Sequence, residues 1–478
     1  MKRWFLVLLA VVALVASACG ASGDDNASDE EEESSSQTDD TSSSGSVTKF
    51  GTMDSPCGPD VDGTKITIKA DEAGTGADKL YLGIANERTA EARPGLLQEM
   101  YDASFAFMNW CNEQGGIGGM EIVPVDLDGQ LFKIEAAMTT ACSQTFAMVG
   151  GGYAQDNQVF TGKDGSDFHK CKMIAFPGFA VSTEFAEANG VVQPIPNLAY
   201  VKPKTWFEDL VKLYPDEMAK TTVVYGEGLP SIRINKDQNK ATASEVDGIE
   251  FVDDVSYALL NQDFSVTAQK VIDLGATSVN FIGEPENYSS LLRELETKGY
   301  EGITFSDANE YDELLFSKGP SEGAMVRIVI HPFEEADEWP ATRQFLDALP
   351  EFGPPNAKLG SLGVQSWSAG LLFATAVNDC AKESGGEISR ECVVNAGKAI
   401  TEWDGGGLHA PTDPSKTTIL ESPACSLLVQ AQGGEFVRLH PELDGEDDTG
   451  DGFHCLENGH IEIEGDFGQG NVDDTLPY

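Results

Sequence analysis

Six short polar segments carry the side chains best suited to chemistry, and each follows an apolar stretch with the character of a β-strand. They combine amide, hydroxyl, carboxylate and guanidinium groups with glycines, a mixture that binds small molecules through hydrogen bonds. The segments are 86–89 (NERT), 152–156 (GYAQD), 178–183 (GFAVST), 225–227 (YGE), 283–286 (GEPE) and 306–309 (SDAN). The sequence contains no G-x-S-x-G elbow, P-loop, H-E-x-x-H motif or catalytic Cys/His pair, so it favours a binding protein over an enzyme.

Alternating strand and helix patterns place these segments at the edges of parallel sheets. In the stretch 110–130, Gly115 and Gly116 stand where a helix must stop in a left-handed conformation, and Gly118 and Gly119 turn the chain into a strand. This strand, the preceding helix and the strand at 79–86 predict a βαβ unit. Ligands of open α/β sheets bind outside the carboxyl ends of the strands, where the polar segments lie.

The alternation runs in two series, which predicts the α/β class with two doubly wound parallel-sheet lobes and a cleft between them. The predicted strands are 79–86, 120–127, 146–152 and 172–180, then 221–228, 249–257, 278–285 and 302–309. The predicted helices are 91–114, 133–145 and 156–170, then 231–246, 263–276 and 287–300. A later helix at 362–383 and a hairpin around Gly433 and Gly434 complete the pattern.

The chain is strongly acidic: 79 acids against 31 bases give its 478 residues a formal net charge of −48. Such a surface repels nucleic acid, so we expect no nucleic-acid partner, and we interpret the acidity as solvation. The acidic loop "DGEDDTGDG" lacks the spacing and final Glu of an EF-hand and is interpreted in the same way. Because the six histidines are scattered and no C-x-x-C occurs, the sequence predicts no metal site and no cofactor.

The N-terminus predicts export and attachment to a membrane. Lys2 and Arg3 precede a short apolar run that ends at small residues, the pattern of a signal peptide over 1–19. The end of this run, 16–19 (ASAC), resembles a bacterial lipobox, which implies a lipid on Cys19; the alternative is a plain secreted protein with an incidental cysteine. The acidic, Ser-rich stretch 20–46 predicts a disordered tether, followed by a Gly/Pro-rich lead-in over 47–64.

Eight further cysteines predict four disulfides, since an even number in an exported chain suggests a disulfide framework. The sequence does not fix their pairing, but pairs of neighbours are favoured because each closes a modest loop. The candidates are Cys57, Cys111, Cys142, Cys171, Cys380, Cys392, Cys425 and Cys455.

Five segments, taken in order, resemble type I periplasmic binding proteins, specifically the Leu/Ile/Val-binding-like substrate-binding lipoproteins of ABC importers. The segments are "FMNWCNEQGGIGGMEIVPVDLDGQ", "TFAMVGGGYAQDN", "MIAFPGFAVST", "QDFSVTAQKVIDLGATSVNFIGEPENYSSLLRELETKGYEG" and "GVQSWSAGLLFATAV". The resemblance implies three crossings between lobes, near 197–204, 327–332 and 411–418. Lobe 1 would then comprise 65–200 and 328–415, and lobe 2 would comprise 201–327 and 416–478.

The resemblance also implies a ligand site. Ser182 and Thr183 would hold a ligand carboxylate, Tyr153 would cover its apolar part, and Asp307 or Glu284 would meet an ammonium group. The full set of candidates is Asn86, Arg88, Gly152, Tyr153, Ala154, Gln155, Gly178, Ala180, Ser182, Thr183, Tyr225, Glu284 and Asp307. Ala154 and Gln155 replace serines that are common in amino-acid binders.

Several candidates have a structural interpretation as well. Tyr153 could pack at its strand end, Arg88 could pair with Glu91, and Asp307 could cap the next helix. Gly152 and Gly178 suit turns.

The implied function is that of an extracytoplasmic, lipid-anchored solute-binding protein of an ABC importer. Its partners would be the permease subunits, the membrane through the lipid, and a small polar ligand such as a branched-chain or other amino acid, an amide or urea-like compound, or a small carboxylate. The alternatives are a sensor that feeds a separate receptor and a secreted hydrolase that shares the two lobes.

Overall fold

A computed structural model describes residues 49–478 except 73, 163–166, 259 and 261–262. The predicted signal peptide, lipobox, Cys19 and tether lie outside the described residues. Within the described part of the chain, no helix is both long enough and apolar enough to cross a membrane.

The described residues form strands and helices in a largely alternating order. The strands are β1 (Lys49–Phe50), β2 (Met53–Asp54), β3 (Thr67–Ile68), β4 (Leu80–Asn86), β5 (Ile122–Asp128), β6 (Ala147–Gly151), β7 (Ala175–Phe176), β8 (Val201–Pro203), β9 (Thr221–Glu227), β10 (Val255–Ala258), β11 (Ser278–Ile282), β12 (Ile303–Ser306), β13 (Met325–Ile328), β14 (Glu387–Ile388), β15 (Ala424–Gln432), β16 (Glu435–His440), β17 (His454–Leu456) and β18 (His460–Glu462). The α-helices are α1 (Gln98–Glu113), α2 (Ile134–Gln144), α3 (Asp167–Lys170), α4 (Thr183–Ala186), α5 (Thr205–Leu213), α6 (Pro215–Met218), α7 (Pro230–Ser244), α8 (Ser265–Asp273), α9 (Pro285–Thr297), α10 (Pro340–Phe352), α11 (Ser361–Ser384) and α12 (Arg390–Lys398). Short 3₁₀ helices lie at Asp156–Phe160, Ala308–Glu310, Glu313–Phe316 and Phe333–Glu335.

Lobe 1 is built on a four-stranded parallel sheet in the order β5-β4-β6-β7. Almost all of β4 and all of β6 are buried, as expected for strands of a parallel sheet that helices cover. The turn after α1 follows the prediction, because Gly115 and Gly116 adopt φ values of +107° and +79°. A Cβ at Gly116 would lie 2.1 Å from the Met120 carbonyl oxygen, so only glycine fits this turn.

Lobe 2 is built on an eight-stranded mixed sheet. Its parallel part has the order β10-β9-β11-β12-β13, and β15 and β16 extend it as antiparallel strands, with β17 paired to β15. The hairpin of β15 and β16 turns at Gly433 and Gly434, as predicted. The parallel strands of both sheets, connected by helices, confirm the predicted α/β class with parallel sheets.

The chain crosses between the two sheets three times. It leaves lobe 1 after β7, returns after β13 to form α10, α11 and α12, and enters lobe 2 again before β15. The bridge between Ile330 and His409 brings two of the crossings together, and β8 in the first crossing pairs with β18. The limits predicted for each lobe stay predictions. The end of the chain, assigned to lobe 2 from the sequence, contacts lobe 1, since Asn189 donates to the carbonyls of Asp473 and Tyr478.

Several predicted elements are shorter than expected. The helix predicted for 91–114 begins only at Gln98, because Gly95 and Leu97 adopt φ values of +84° and +55° and hold a turn. The region 156–170, predicted as a helix, holds the 3₁₀ helix at Asp156–Phe160 and the four-residue α3 on either side of undescribed residues. The strands predicted for 172–180 and 249–257 reduce to β7 and β10.

The structure joins neighbouring cysteines in four disulfides, the pairing that the sequence favoured. The pairs are Cys57–Cys111, Cys142–Cys171, Cys380–Cys392 and Cys425–Cys455. The first attaches the lead-in segment to α1, and the last joins β15 to β17.

Candidate ligand-binding site

A cavity of about 300 Å³ lies between the lobes, beside the carboxyl ends of β11 and β12 and the segments of all three crossings. This is the position in which open α/β sheets bind ligands, and the volume is at the small end of the range for ligand pockets. The site therefore suits one small molecule in contact with both lobes.

Aliphatic and aromatic side chains from both lobes form much of the wall. Those of lobe 1 are Leu96, Leu97, Phe179, Val181, Ile195, Leu198 and Leu362, and those of lobe 2 are Leu229, Ile232, Phe281, Ile282 and Ile419. A ligand with an apolar body would bury hydrocarbon against both sets when the lobes close, which contributes roughly 25 cal/mol per Å² of apolar surface.

Lys202 provides a cationic group whose charge lacks a carboxylate partner. It lies in β8 and lines the cavity, and its Nζ donates a hydrogen bond of 2.7 Å to Oδ1 of Asn197. Within the described part of the chain it makes no ion pair. Burial lowers the pKa of Lys202 to about 8, partly offset by Asp307 and Glu187, which favour the charged form. An anionic ligand group would stabilise this ammonium ion.

Arg327, the second cation of the wall, is already engaged. Its NH1 lies 3.1 Å from Oδ1 of Asp307, and its buried Nε has no hydrogen-bond partner in the described residues. His460 also lines the cavity; burial lowers the pKa of its imidazole, and its Nδ1 lies 3.0 Å from the Ser422 carbonyl oxygen. Of the two cations, Lys202 is the one whose charge is not paired with a carboxylate in the described residues, so it is the one whose charge an anion would balance.

Three acids of the cavity, Asp307, Glu284 and Glu310, are paired or held towards their neutral form. Asp307 accepts a hydrogen bond from the Ala308 amide in addition to its contact with Arg327, so the predicted capping role is present. Glu284 lies 3.4 Å from Arg93, while burial raises its pKa. Burial also raises the pKa of Glu310 well above its ordinary value. A ligand ammonium group would have to displace Arg327 or Arg93 to meet Asp307 or Glu284. The fourth acid of the wall, Asp413, has no cationic partner in the described residues and accepts hydrogen bonds from Ser415 and Thr418.

The first polar loop of lobe 1 is held by contacts within the protein. Asn86 donates to Asp126, and Arg88 forms a bidentate pair with the same carboxylate, not with Glu91. The guanidinium of Arg88 also lies 3.9 Å from the centre of the Tyr101 ring. Neither Asn86 nor Arg88 is among the residues that line the cavity.

Glu87, between them, joins the first polar loop to the second. Its Oε2 accepts a hydrogen bond of 2.7 Å from the Ala154 amide, and burial raises its pKa to about 7. Ala154 lines the cavity, so the Glu87 carboxyl fixes one part of the wall from behind.

The second loop makes its other contacts away from the cavity. The Tyr153 hydroxyl donates to the Leu127 carbonyl oxygen at 2.7 Å, which matches the packing interpretation of this residue. Gln155 donates to the Leu131 carbonyl oxygen. A Cβ at Gly152 would lie 3.0 Å from the Phe179 carbonyl oxygen, so this glycine allows the second and third loops to approach each other.

The third loop is fixed by Asp156, the buried last residue of the second loop. Its carboxylate accepts hydrogen bonds from the amides of Val181 and Ser182, and burial raises its pKa to about 7. Ser182 caps α4 by accepting from the Phe185 amide, and Thr183 donates to the Phe467 carbonyl oxygen. These hydroxyls therefore have partners within the protein.

Three of the thirteen predicted ligand residues line the cavity: Ala154, Glu284 and Asp307. The other ten do not: Asn86, Arg88, Gly152, Tyr153, Gln155, Gly178, Ala180, Ser182, Thr183 and Tyr225. Sequence reasoning missed Lys202 and Arg327, although both lie in or beside predicted crossings. One feature of the sequence pointed to them. The chain has few basic residues, and these two lie in segments that were predicted to cross between the lobes, beside the cleft.

Contacts between the lobes close one side of the cavity. Arg93 of lobe 1 meets Glu284 of lobe 2, and Glu286 lies 3.9 Å from the same guanidinium. Ser231, in the first turn of α7, lies 3.5 Å from the Ala154 carbonyl oxygen. These contacts are partly exposed, so each contributes modestly to closure.

Comparisons with known proteins agree with this architecture. The family described as "Periplasmic binding protein" matches residues 82–433, whereas no match was found among curated proteins. A fatty acid ABC transporter substrate-binding protein from Thermomonospora curvata is 18% identical over 85% of this chain and 97% of its own, with a TM-score of 0.61.

Two further solved structures contain ligands. A branched-chain amino acid ABC transporter protein from Thermus thermophilus with bound valine is 16% identical over 76% of this chain and 95% of its own, with a TM-score of 0.61. The branched-chain amino acid transporter substrate-binding protein LivJ from Streptococcus pneumoniae, in complex with isoleucine, is 12% identical over 76% of this chain and 100% of its own, with a TM-score of 0.58. At these identities the likeness establishes a shared fold.

Proposed function

The chain belongs to the periplasmic binding protein family, and from this premise we propose that it is the extracytoplasmic solute-binding protein of an ABC importer for a carboxylate with an apolar body. The observation that carries the proposal is Lys202, a partly buried cation that has no carboxylate partner among the described residues and lines a largely apolar cleft. The proposed ligand narrows the range that the sequence suggests, because amides and urea-like compounds offer this cation no negative charge.

The electrostatics of the cleft favour an anion at Lys202. Removing an ammonium ion from water is unfavourable, which is why burial lowers the pKa of this side chain. A ligand carboxylate at Nζ would form a charge-assisted hydrogen bond worth about 1.5–3 kcal/mol. The same contact would raise the pKa of Lys202 towards its ordinary value, so binding and protonation would support each other.

The acids of the cleft favour a ligand without an amine. Asp307 and Glu284 were the predicted partners of an ammonium group, but they already contact Arg327 and Arg93. An amino acid would have to break one of these ion pairs to meet Asp307 or Glu284, or compete with the hydrogen bonds that Ser415 and Thr418 donate to Asp413. A simple aliphatic or aromatic acid leaves all of these contacts intact. The solved relatives include one named for fatty acid and others with valine or isoleucine bound, ligands that share a carboxylate and an apolar part.

Transport would follow from closure of the lobes around the ligand. Because each lobe supplies half of the cavity wall, a bound ligand favours the closed population, which the permease subunits would recognise. A lipid on Cys19 and the tether over 20–46 would hold the lobes at the outer face of the membrane and raise their local concentration near the permease.

A binding panel tests this function. Calorimetric titration of the mature chain with octanoate and octanamide varies the charge on one heptyl chain, and titration with leucine adds an amine on a shorter, branched side chain. We expect octanoate to bind most tightly, leucine to bind more weakly and octanamide to bind weakest. Equal binding of octanoate and octanamide would remove the role of the carboxylate, and tighter binding of leucine would restore the amino-acid interpretation.

A further inference from the structure

A second cluster of chemical groups lies in lobe 2 and contributes nothing to the cavity wall. It comprises Asp209 of α5, His440 at the end of β16 and His454 at the start of β17. We propose that these three residues bind a divalent transition-metal ion, with Zn²⁺ the best match, independently of the ligand in the cleft.

The donor atoms already converge. One donor atom from each residue lies within 4.8 Å of the other two. Nε2 of His440 is 3.3 Å from Oδ1 of Asp209, close to the separation of about 3.3 Å between two donors of a tetrahedral zinc ion with bonds of about 2.0 Å. Nδ1 of His454 is 2.6 Å from the same oxygen and would move outwards to admit the ion.

The ring of His440 supplies a second, independent observation. Its side chain is only 7% exposed, yet within the described residues its Nε2 makes no hydrogen bond. A buried imidazole nitrogen that faces a carboxylate without a hydrogen bond is costly unless another group satisfies it. A metal ion among the three residues would use this nitrogen directly.

The surrounding groups suit a metal site. Ser426 donates to Oδ2 of Asp209 at 2.8 Å, which fixes the carboxylate and leaves Oδ1 for the ion. Asp447 of the acidic loop lies with Oδ2 3.9 Å from Nε2 of His440 and forms an ion pair with Lys212. A small movement of this loop would supply a carboxylate oxygen as the fourth donor.

The donor set decides which metal fits. Two imidazoles and a carboxylate suit zinc and its neighbours in the first transition series, whereas Ca²⁺ and Mg²⁺ prefer oxygen donors alone.

The sequence predicts no metal site because Asp209 and His454 are 245 residues apart, which no local spacing rule detects. An ion here would join α5 to the segment after β16, close to the Cys425–Cys455 disulfide.

Zinc retention tests the proposal directly. The mature chain, without an added polyhistidine segment, is freed of metal with a chelator, incubated with Zn²⁺ in the presence of excess Mg²⁺, and passed through a desalting column. Elemental analysis should then find one zinc ion per chain. The excess Mg²⁺ occupies weak sites on the acidic surface, so that zinc retained under these conditions reports a specific site.

Matched variants locate the site. His454→Gln and His440→Gln should each lower zinc affinity by about 100-fold or more, because each removes one of three ligands. His460→Gln, which changes a histidine of the same lobe outside the cluster, should retain the ion. Zn²⁺ should raise the melting temperature of the native chain and of His460→Gln, but not of His454→Gln.

Two results would overturn the proposal. One is a native chain that retains no zinc after desalting, and the other is equal retention by the native chain and by folded His454→Gln. Octanoate titrations of the native chain, His454→Gln and His440→Gln keep the two proposals separate, since neither histidine of the cluster lines the cleft.

Discussion

Replacement of Lys202 by methionine should weaken carboxylate binding strongly and change its pH dependence. Methionine keeps the apolar length of the side chain and removes the charge. The lost charge-assisted hydrogen bond is worth about 1.5–3 kcal/mol, and since 1.4 kcal/mol corresponds to tenfold, the affinity for octanoate should fall by roughly 10- to 150-fold at pH 7.

The pH profile follows from the pKa of about 8 for Lys202 in the free protein. Carboxylate binding favours the protonated amine, so affinity is full below pH 8 and decreases as the pH rises above it. Between pH 7 and pH 9 the native chain should lose about tenfold in affinity, whereas Lys202→Met should show no such decrease.

Isothermal titration calorimetry with octanoate measures these affinities for the native chain, Lys202→Met and Lys204→Met at pH 7 and pH 9. Lys204 is the matched control, because it pairs with Glu208 and does not line the cavity. Its replacement should change the affinity less than twofold. Native-like affinity of Lys202→Met, or the same pH profile in both chains, would refute the assignment of the anion to this lysine.

Three further predictions concern stability and covalent structure. The raised pKa of Glu87, about 7, means that the protonated carboxyl stabilises the fold and that this stabilisation is lost as the pH rises from about 4.5 to 7. Denaturant titration at pH 5 and at pH 8 should therefore find that the native chain loses about 2–3 kcal/mol of unfolding free energy relative to Glu87→Gln over this range. The same difference in unfolding free energy between the two chains at both pH values would contradict this. Gly178→Ala should destabilise the chain by about 1–3 kcal/mol, since the new Cβ would lie 2.1 Å from Oγ of Ser366, while Gly58→Ala, in open space, should change little in the same titration. Intact-mass measurement with a thiol reagent should find the eight cysteines of the mature lobes unreactive, and labelling before reduction would contradict the four disulfides.

Local rules of the sequence predict much of the fold. Gly115 and Gly116 end α1 in left-handed conformations because few other residues tolerate them, and the turn between β15 and β16 follows from Gly433 and Gly434. The predicted start of α1 was wrong, because the helical spacing of apolar residues continues through Gly95, where the backbone forms a turn instead.

The candidate site depends more on tertiary structure. Asp307 and Glu284 could be found because they follow predicted strands, and strand ends meet at the cleft. For Lys202 the sequence offered only a basic residue in a predicted crossing, because its place in the cavity wall depends on where three distant crossings of the chain meet. The sequence also did not predict the direction in which a side chain points. Tyr153, for example, donates its hydroxyl hydrogen to the Leu127 carbonyl oxygen and does not line the cavity.

A crystal structure of the chain with octanoate tests the central claim most directly. We predict closed lobes, hydrocarbon against the apolar wall and a carboxylate oxygen within about 3 Å of Nζ of Lys202. Octanoate bound outside the cleft, or bound in it with its carboxylate away from Lys202, would contradict the account.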